Sequence, residues 1–211
     1  MNEDRWKTAV TYVERNKILI RGYSVDKLMG KISFAEAIYL IIKGEMPSPE
    51  AGKMMDAILV SSIDHGVTPP STLSAITIAS TGAEINSSIA GGILAISRYH
   101  GGAIENCMRV LLEVISDSEE SGNAIDKSAE KIVEKYRSRK KRVAGFGHRL
   151  HTEDPRTLKL FELAKHLGFN GKYLKTIKIV ESILELKLGR KLPINVDGAI
   201  AAILCELEFP P

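Results

Sequence analysis

Helix starts and stops punctuate this chain at helix-length intervals, and they leave little room for anything but a mainly α fold. In SFAEAIYLIIKGEMP, Ser33 followed three residues later by Glu36 is a capping-box pattern. A dense apolar run continues to Ile42, Gly44 suits a left-handed exit, and Pro47 prevents continuation. Ser48 and Pro49 open the next helix, expected to reach about Asp64 before HGVTPP stops it. Further helices are expected from near Ser71 to residues 80–82, from Asn86 through NSSIAGGILAISRYH, over 103–116, 125–139, 155–167 and 172–188, and after Asn195. Asp154 before Pro155 is an N-cap with proline at the first helical position. Ala90, Gly91, Gly92 and Ala95 leave little side chain on one helix face, which permits close approach by a neighbouring helix. Strand-like alternation is confined to KILIRGY, residues 17–23.

Composition sets the broad class. A chain of 211 residues with 44% hydrophobic and 26% charged residues can bury a sizeable core, as one domain or two joined lobes. No run of about 18 apolar residues is present, so no membrane partner is expected. MNEDRWKTAV is acidic and polar and lacks the apolar stretch of a signal peptide. Cys107 and Cys205 are too few for a disulfide framework or a cysteine-based zinc site, so the expected compartment is cytoplasmic. A net charge of +3 specifies no partner.

Four ionisable residues fall at helix ends or in the breaks between helices: His65 in IDHG, His100 in RYHGG, His148 in GFGHR and Asp197 in INVDG. Each has glycine beside it, which lets the backbone turn sharply and a ligand come close. One such histidine is readily explained as a core or cap residue; three, with an aspartate, point to a site. His151 and His166 lack this context, and His166 reads as a helix-end cap. Asp197 also suits the first turn of the last helix, where Asn195 can be the cap and the helix dipole keeps a carboxylate ionised. RSRKKR puts Arg137, Arg139, Lys140, Lys141 and Arg142 just ahead of the glycine loop. The run reads either as a solvated helix end or as a seat for a phosphate-bearing ligand. A nucleic-acid partner would call for a second basic patch or exposed aromatics, and neither stands out. Histidine pairs at metal-ligand spacing, a GxSxG elbow and a Walker lysine motif are absent, so no metal cofactor, serine hydrolysis or nucleotide hydrolysis is expected.

Four segments in register carry a resemblance. IRGYSVDKLMGKISFAEAIYLIIKGEMP, DHGVTPPSTLSAITIASTGAEINSSIAGGILAISRYHGG, GFGHRLHTEDPR and LPINVDGAIAAIL together resemble the citrate synthase superfamily, closest to its short citryl-CoA lyases, similar to the C-terminal module of ATP-citrate lyase. The resemblance implies a large helical lobe of residues 1–104 and 193–211, a smaller lobe of 105–192, and an active site in the cleft. It implies an arrangement of roles: Asp197 as the acid–base group at the methyl carbon of acetyl-CoA, His100 as donor to the thioester oxygen, and His148 at the oxaloacetate carbonyl or citryl hydroxyl. His65, Arg156 and Arg149 are implied to hold the substrate's oxygens and carboxylates. Gly145, Phe146, Gly147, Lys140, Lys141 and Arg142 are implied to receive coenzyme A.

The implied reaction is metal-free carbon–carbon cleavage or formation on citryl-CoA, with the coenzyme A thioester as substrate and no bound cofactor. Citrate synthase and methylcitrate synthase activity are the alternatives of the same chemistry, and a non-catalytic CoA-binding or oligomerisation module is the alternative of another class. A homodimer or higher homo-oligomer is implied, as is a further segment whose arginines bind citrate carboxylates; among the latter only Arg156 is identifiable here. The residue chemistry agrees independently: a thioester α-carbon needs a base for a weakly acidic C–H and donors where oxygen charge develops.

Overall fold

The capping box expected at Ser33 forms in full: the Ser33 hydroxyl accepts from the Glu36 N–H, and the Glu36 carboxylate accepts from the Ser33 N–H. The structure, a computed structural model, describes residues 8–148 and 151–211. It divides into two units, Met1–Val60 and Ser61–Pro211.

The first unit opens with strands β1 (Thr11–Glu14), β2 (Lys17–Ile20) and β3 (Tyr23–Ser24), an antiparallel sheet in chain order, with Thr11 opposite Ile20 and Ile20 opposite Tyr23. KILIRGY supplies β2 and β3 as its alternation suggests. β1 was not expected, because all four of its residues are exposed and its sequence carries no inward-facing stripe. After α1 (Val25–Leu28) come α2 (Phe34–Lys43), which ends at Gly44 with φ of 85°, and α3 (Pro49–Ser61). Glu36 lies against Gly52 of α3, where a side chain would collide with it.

In the second unit, α4 (Pro70–Ser80) and α5 (Ile85–Leu94) form a helical hairpin. The small-residue face works inside the chain: a Cβ on Gly92 would meet the Ser71 carbonyl at 3.0 Å, and one on Gly91 would meet Ile78. Then follow α6 (Ala103–Ser121), α7 (Ile125–Ser138), α8 (Pro155–His166), α9 (Lys172–Leu188) and α10 (Val196–Glu206). Helix α6 runs past the expected stop at Ser116. Its polar last turns are held by ion pairs of Asp117 with Lys131 and Glu119 with Lys172, and Gly122, at φ of 70°, is the true exit.

Helix α10 organises this unit. Eight of its eleven residues are buried, among them Gly198, Ala199, Ala201 and Ala202, and α6, α8 and α9 pack around it. Val110 and Val114 of α6, Ile132 and Val133 of α7, and Val180 and Leu184 of α9 make a second apolar layer that also receives Val143 and Phe146. Each such aliphatic side chain contributes about 1.5–3 kcal/mol by leaving water. Helix α9 has no side-chain cap of its own; the Glu206 carboxylate at the end of α10 accepts from the N–H groups of Tyr173 and Leu174 instead. Among the described residues no helix is long and apolar enough to cross a membrane. The mainly α architecture is the one read from the sequence.

Candidate functional site

The glycine loop and the segment before α10 are pinned together as a short antiparallel bridge between Phe146 and Ile194. Gly147 donates its N–H to the Pro193 carbonyl at 2.7 Å, and Asn195 donates its N–H to the Gly145 carbonyl at 3.0 Å. Gly145, at φ of 89°, is buried where the loop crosses α6 and α10: a Cβ there would lie 2.6 Å from Cys107 Sγ and 2.9 Å from Gly198 Cα. The glycine at 145 is thus required by packing inside the protein. Glu181 of α9 reinforces the bridge by accepting from the Ile194 N–H at 2.8 Å.

This bridge carries His148 toward the N-terminus of α10, where Asp197 occupies the first turn and Asn195 is the cap, accepting from the Gly198 N–H at 3.1 Å. Burial pushes the Asp197 carboxyl above its ordinary value, opposed by the nearby side chains of His65, Arg156 and His148 and assisted by Asp154. The His148 imidazole is held below its usual value, first by burial and then by neighbouring His151, against the pull of Asp154. Its Nδ1 accepts the backbone N–H of His151 at 3.0 Å. A backbone N–H can only donate, so the neutral ring carries its proton on Nε2 and presents a donor there. The His151 ring lies 4.4 Å from that of His148, centroid to centroid.

Asp154 caps α8 as expected, and it also grips Arg156, whose Nε and Nη2 lie 3.1 and 2.8 Å from its two carboxylate oxygens. Burial alone would raise the Asp154 carboxyl, but the Arg156 hydrogen bonds hold it below the ordinary value. Arg156 therefore reaches the site with a fixed guanidinium. His100 closes a tight turn with Ser97, and its Nε2 faces the Ser71 N–H at 3.3 Å and the Ser71 hydroxyl at 2.8 Å. With Nε2 accepting from the Ser71 N–H, the neutral ring donates from Nδ1.

Beside His148 lies a pocket of about 420 Å³. Arg137, Lys141, Arg142 and Arg190 supply its cationic wall, and Phe146, Leu184, Leu188 and Leu192 its apolar one. Lys140 is not among its lining residues; it follows the Arg139 cap of α7 in a left-handed conformation with φ of 54°. Arg137, at the start of the basic run, lines the pocket as well. Arg190 was not foreseen, because a lone arginine after a helix-ending glycine has no signature in sequence. His151 and Glu181 likewise acquire their positions only from the fold, as do the contacts of Asp154 with the Arg156 side chain and of Asn195 with Gly147. Arg149 lies outside the described residues. Among the described residues no three His, Cys, Asp or Glu side chains converge as metal ligands.

Chemically, the grouping offers a carboxyl that can change protonation state, a neutral imidazole donor, a fixed guanidinium and a cation-walled pocket with apolar surface.

Comparison with known proteins adds the family. The model of the citrate synthase C-terminal domain matches residues 46–211. The chain superposes on the citryl-CoA lyase of Hydrogenobacter thermophilus with a TM-score of 0.86 and 42% identity, covering 97% of this chain and 77% of that one. It superposes on ATP citrate lyase of Methanothrix soehngenii with a TM-score of 0.85 over 99% of this chain and 33% of that one; at 22% identity, that likeness concerns the fold. The citrate synthase of Deinococcus radiodurans is 31% identical over 192 residues, 88% of this chain and 48% of that protein. The chain spans less than half the length of the curated relatives it matches.

Proposed function

Because the chain belongs to the citrate synthase family, we propose that it makes or breaks the carbon–carbon bond of citryl-CoA, in the direction of acetyl-CoA and oxaloacetate. The observation that carries this reading is the meeting of Asp197, His148, His65 and Arg156 in one electrostatic neighbourhood at the N-terminus of a buried helix.

In cleavage, His148 donates from Nε2 to the hydroxyl oxygen of citryl-CoA, whose proton passes to solvent as the bond breaks. The hydroxyl carbon becomes the keto carbon of oxaloacetate, and the bonding electrons pass to the thioester side as an enolate whose oxygen is held by the His100 donor. Asp197 returns a proton to the methyl carbon, a role suited to a carboxyl that burial raises above its ordinary value. Arg156, held by Asp154, and His65 receive carboxylate oxygens, with Arg149 proposed beside them. The coenzyme A thioester, bound as substrate with no separate cofactor, lies in the cationic pocket. Lys141, Arg142, Arg137 and Arg190 face its phosphates, while Phe146, Gly147 and the leucines face its pantetheine; Gly145, expected among the coenzyme A contacts, is turned into the packing against α6 and α10 instead. Lys140 adds charge at the rim.

The proposed organisation is the one expected from the sequence, a larger lobe of 1–104 and 193–211 and a smaller one of 105–192, in the cytoplasm and in central citrate metabolism. A homodimer is also proposed. Its support is the α4–α5 hairpin, in which no α4 residue is buried and Ile85 and Leu94 stand 76% and 84% exposed.

Citrate synthase activity is the second reading, favoured by the Deinococcus radiodurans relative. The two are separated by offering the purified protein citryl-CoA and, separately, acetyl-CoA with oxaloacetate. Release of acetyl-CoA and oxaloacetate from citryl-CoA supports the first reading. Net formation of free citrate and coenzyme A supports the second, and neither conversion refutes both.

A further inference from the structure

The side chain of Asn195 makes two bonds to two different parts of the site. Its carboxamide oxygen accepts from the Gly198 N–H at 3.1 Å and so caps α10, the helix that carries Asp197. Its amide nitrogen donates to the Gly147 carbonyl at 2.9 Å, in the loop that carries His148. From this geometry we infer that Asn195 is a positioning residue that sets the imidazole of His148 relative to the carboxyl of Asp197.

The backbone explains why the second bond matters. The bridge fixes the loop as far as the Gly147 N–H, which is held by the Pro193 carbonyl. The next peptide plane joins the Gly147 carbonyl to the His148 nitrogen. Its orientation is set by rotation within Gly147, which sits at φ of 84° and has no side chain to restrict it. Asn195 grips that plane by its carbonyl. Turning the plane swings the Cα–Cβ direction of His148, and a displacement of about 1 Å can cost a reaction on the order of 10²-fold. Asparagine can do both jobs because it offers an acceptor and a donor on one rigid group. Aspartate and serine can supply the cap, but neither offers an amide donor in that place.

This inference rests on the roles assigned above to Asp197 and His148, and its test separates the two questions. Asn195→Ser keeps a good N-cap and removes the donor, so thermal stability is expected to fall by a few degrees at most. Carbon–carbon cleavage of citryl-CoA should fall about 10–100-fold more than exchange of the acetyl-CoA methyl protons, which does not use His148. A merely structural role would lower the two together, in proportion to folded protein, and that result overturns the inference.

The second readout is independent of catalysis. In wild type the burial of His148 and its neighbours His151, Arg156 and His65 hold its titration down, while Asp154 opposes them and Asp197 faces it from α10. Freeing the plane hydrates the ring, so in Asn195→Ser the NMR titration of His148 should move up toward an ordinary histidine. If wild type performs neither exchange nor cleavage, the functional reading fails, and this titration alone decides: an unchanged His148 refutes the positioning role. Should the serine variant not fold, Asn195→Asp provides the same split between cleavage and exchange with the cap intact.

Discussion

Gly198→Ala is the substitution whose outcome the structure specifies most sharply, because two effects of known size oppose each other there. Alanine is favoured over glycine inside a helix by at most about 1 kcal/mol, less in a first turn. Against this, a Cβ at position 198 would lie 2.3 Å from the Gly145 carbonyl oxygen, 3.0 Å from Ile194 Cγ2 and 3.1 Å from the Gly145 carbonyl carbon. The main obstacle is backbone, and that backbone is itself fixed by the Asn195 N–H. Overpacking of a tight interior costs about 1–3 kcal/mol, and an obstacle that cannot rotate away belongs at the upper end. The net expectation is a loss of about 1–2 kcal/mol, which lowers the melting temperature by about 2–8 °C in a protein of this size. The relief available is for the Gly145–Gly147 loop to lift from α10, taking His148 with it, so citryl-CoA turnover per folded molecule should also drop. Gly91→Ala is the internal control. Its Cβ would meet only the terminal methyl of Ile78, which can turn, so it should be neutral or slightly stabilising. Paired thermal melts and single-turnover assays measure both. A Gly198→Ala protein as stable and active as wild type would refute the tight loop–helix contact.

Three further outcomes are expected. Replacing Lys141, Arg142 and Arg190 together by glutamine should weaken coenzyme A binding, with the loss largest at low salt because exposed charges are screened within about 10 Å at 0.1 M; unchanged titration calorimetry at low salt would leave these side chains as ordinary surface cations. Asp154→Asn should cost about 2–3 kcal/mol at neutral pH, less than the 3–5 kcal/mol usual for a fully buried pair because Arg156 is 27% exposed and can rehydrate. Since the Asp154 carboxyl titrates below its unfolded value, its contribution is present above the ordinary carboxylate range and is lost as pH falls through the folded value, so denaturant melts of the variant should show a shallower acid loss. Glutamate at both Ile85 and Ile89 should convert the proposed homodimer to monomer in sedimentation, and an unaltered sedimentation coefficient would place the subunit contact elsewhere.

What could be read from the sequence followed the reach of the physics involved. Caps act within a turn of chain, so Ser33, Gly44, Asp154 and Asn195 announced their helix ends directly. The glycine-flanked histidines and Asp197 stood out because their neighbours are unusual for helix ends. Gly145 was legible as special, but its main constraint is the crossing with Cys107 and Gly198, a contact between residues far apart in the chain. His151 carries no such signal, because its part is played by its backbone N–H and its ring face, neither of which has a sequence pattern. Arg190 and Glu181 were invisible for the same reason: each acts on a segment that only the folded α9 brings near.

The central claim is that Asp197 moves the methyl proton of the acetyl group, and the measurement that bears on it most directly is solvent exchange of the acetyl-CoA methyl protons by Asp197→Asn. Asparagine preserves shape and the helix terminus while removing the base, so exchange per folded molecule should fall by about 10²–10⁴-fold. Burial already disfavours the charged carboxylate, so the variant should be at least as stable as wild type at neutral pH. Exchange at the wild-type rate in a folded Asp197→Asn protein would contradict the account, leaving Asp197 as the acidic first turn of a helix.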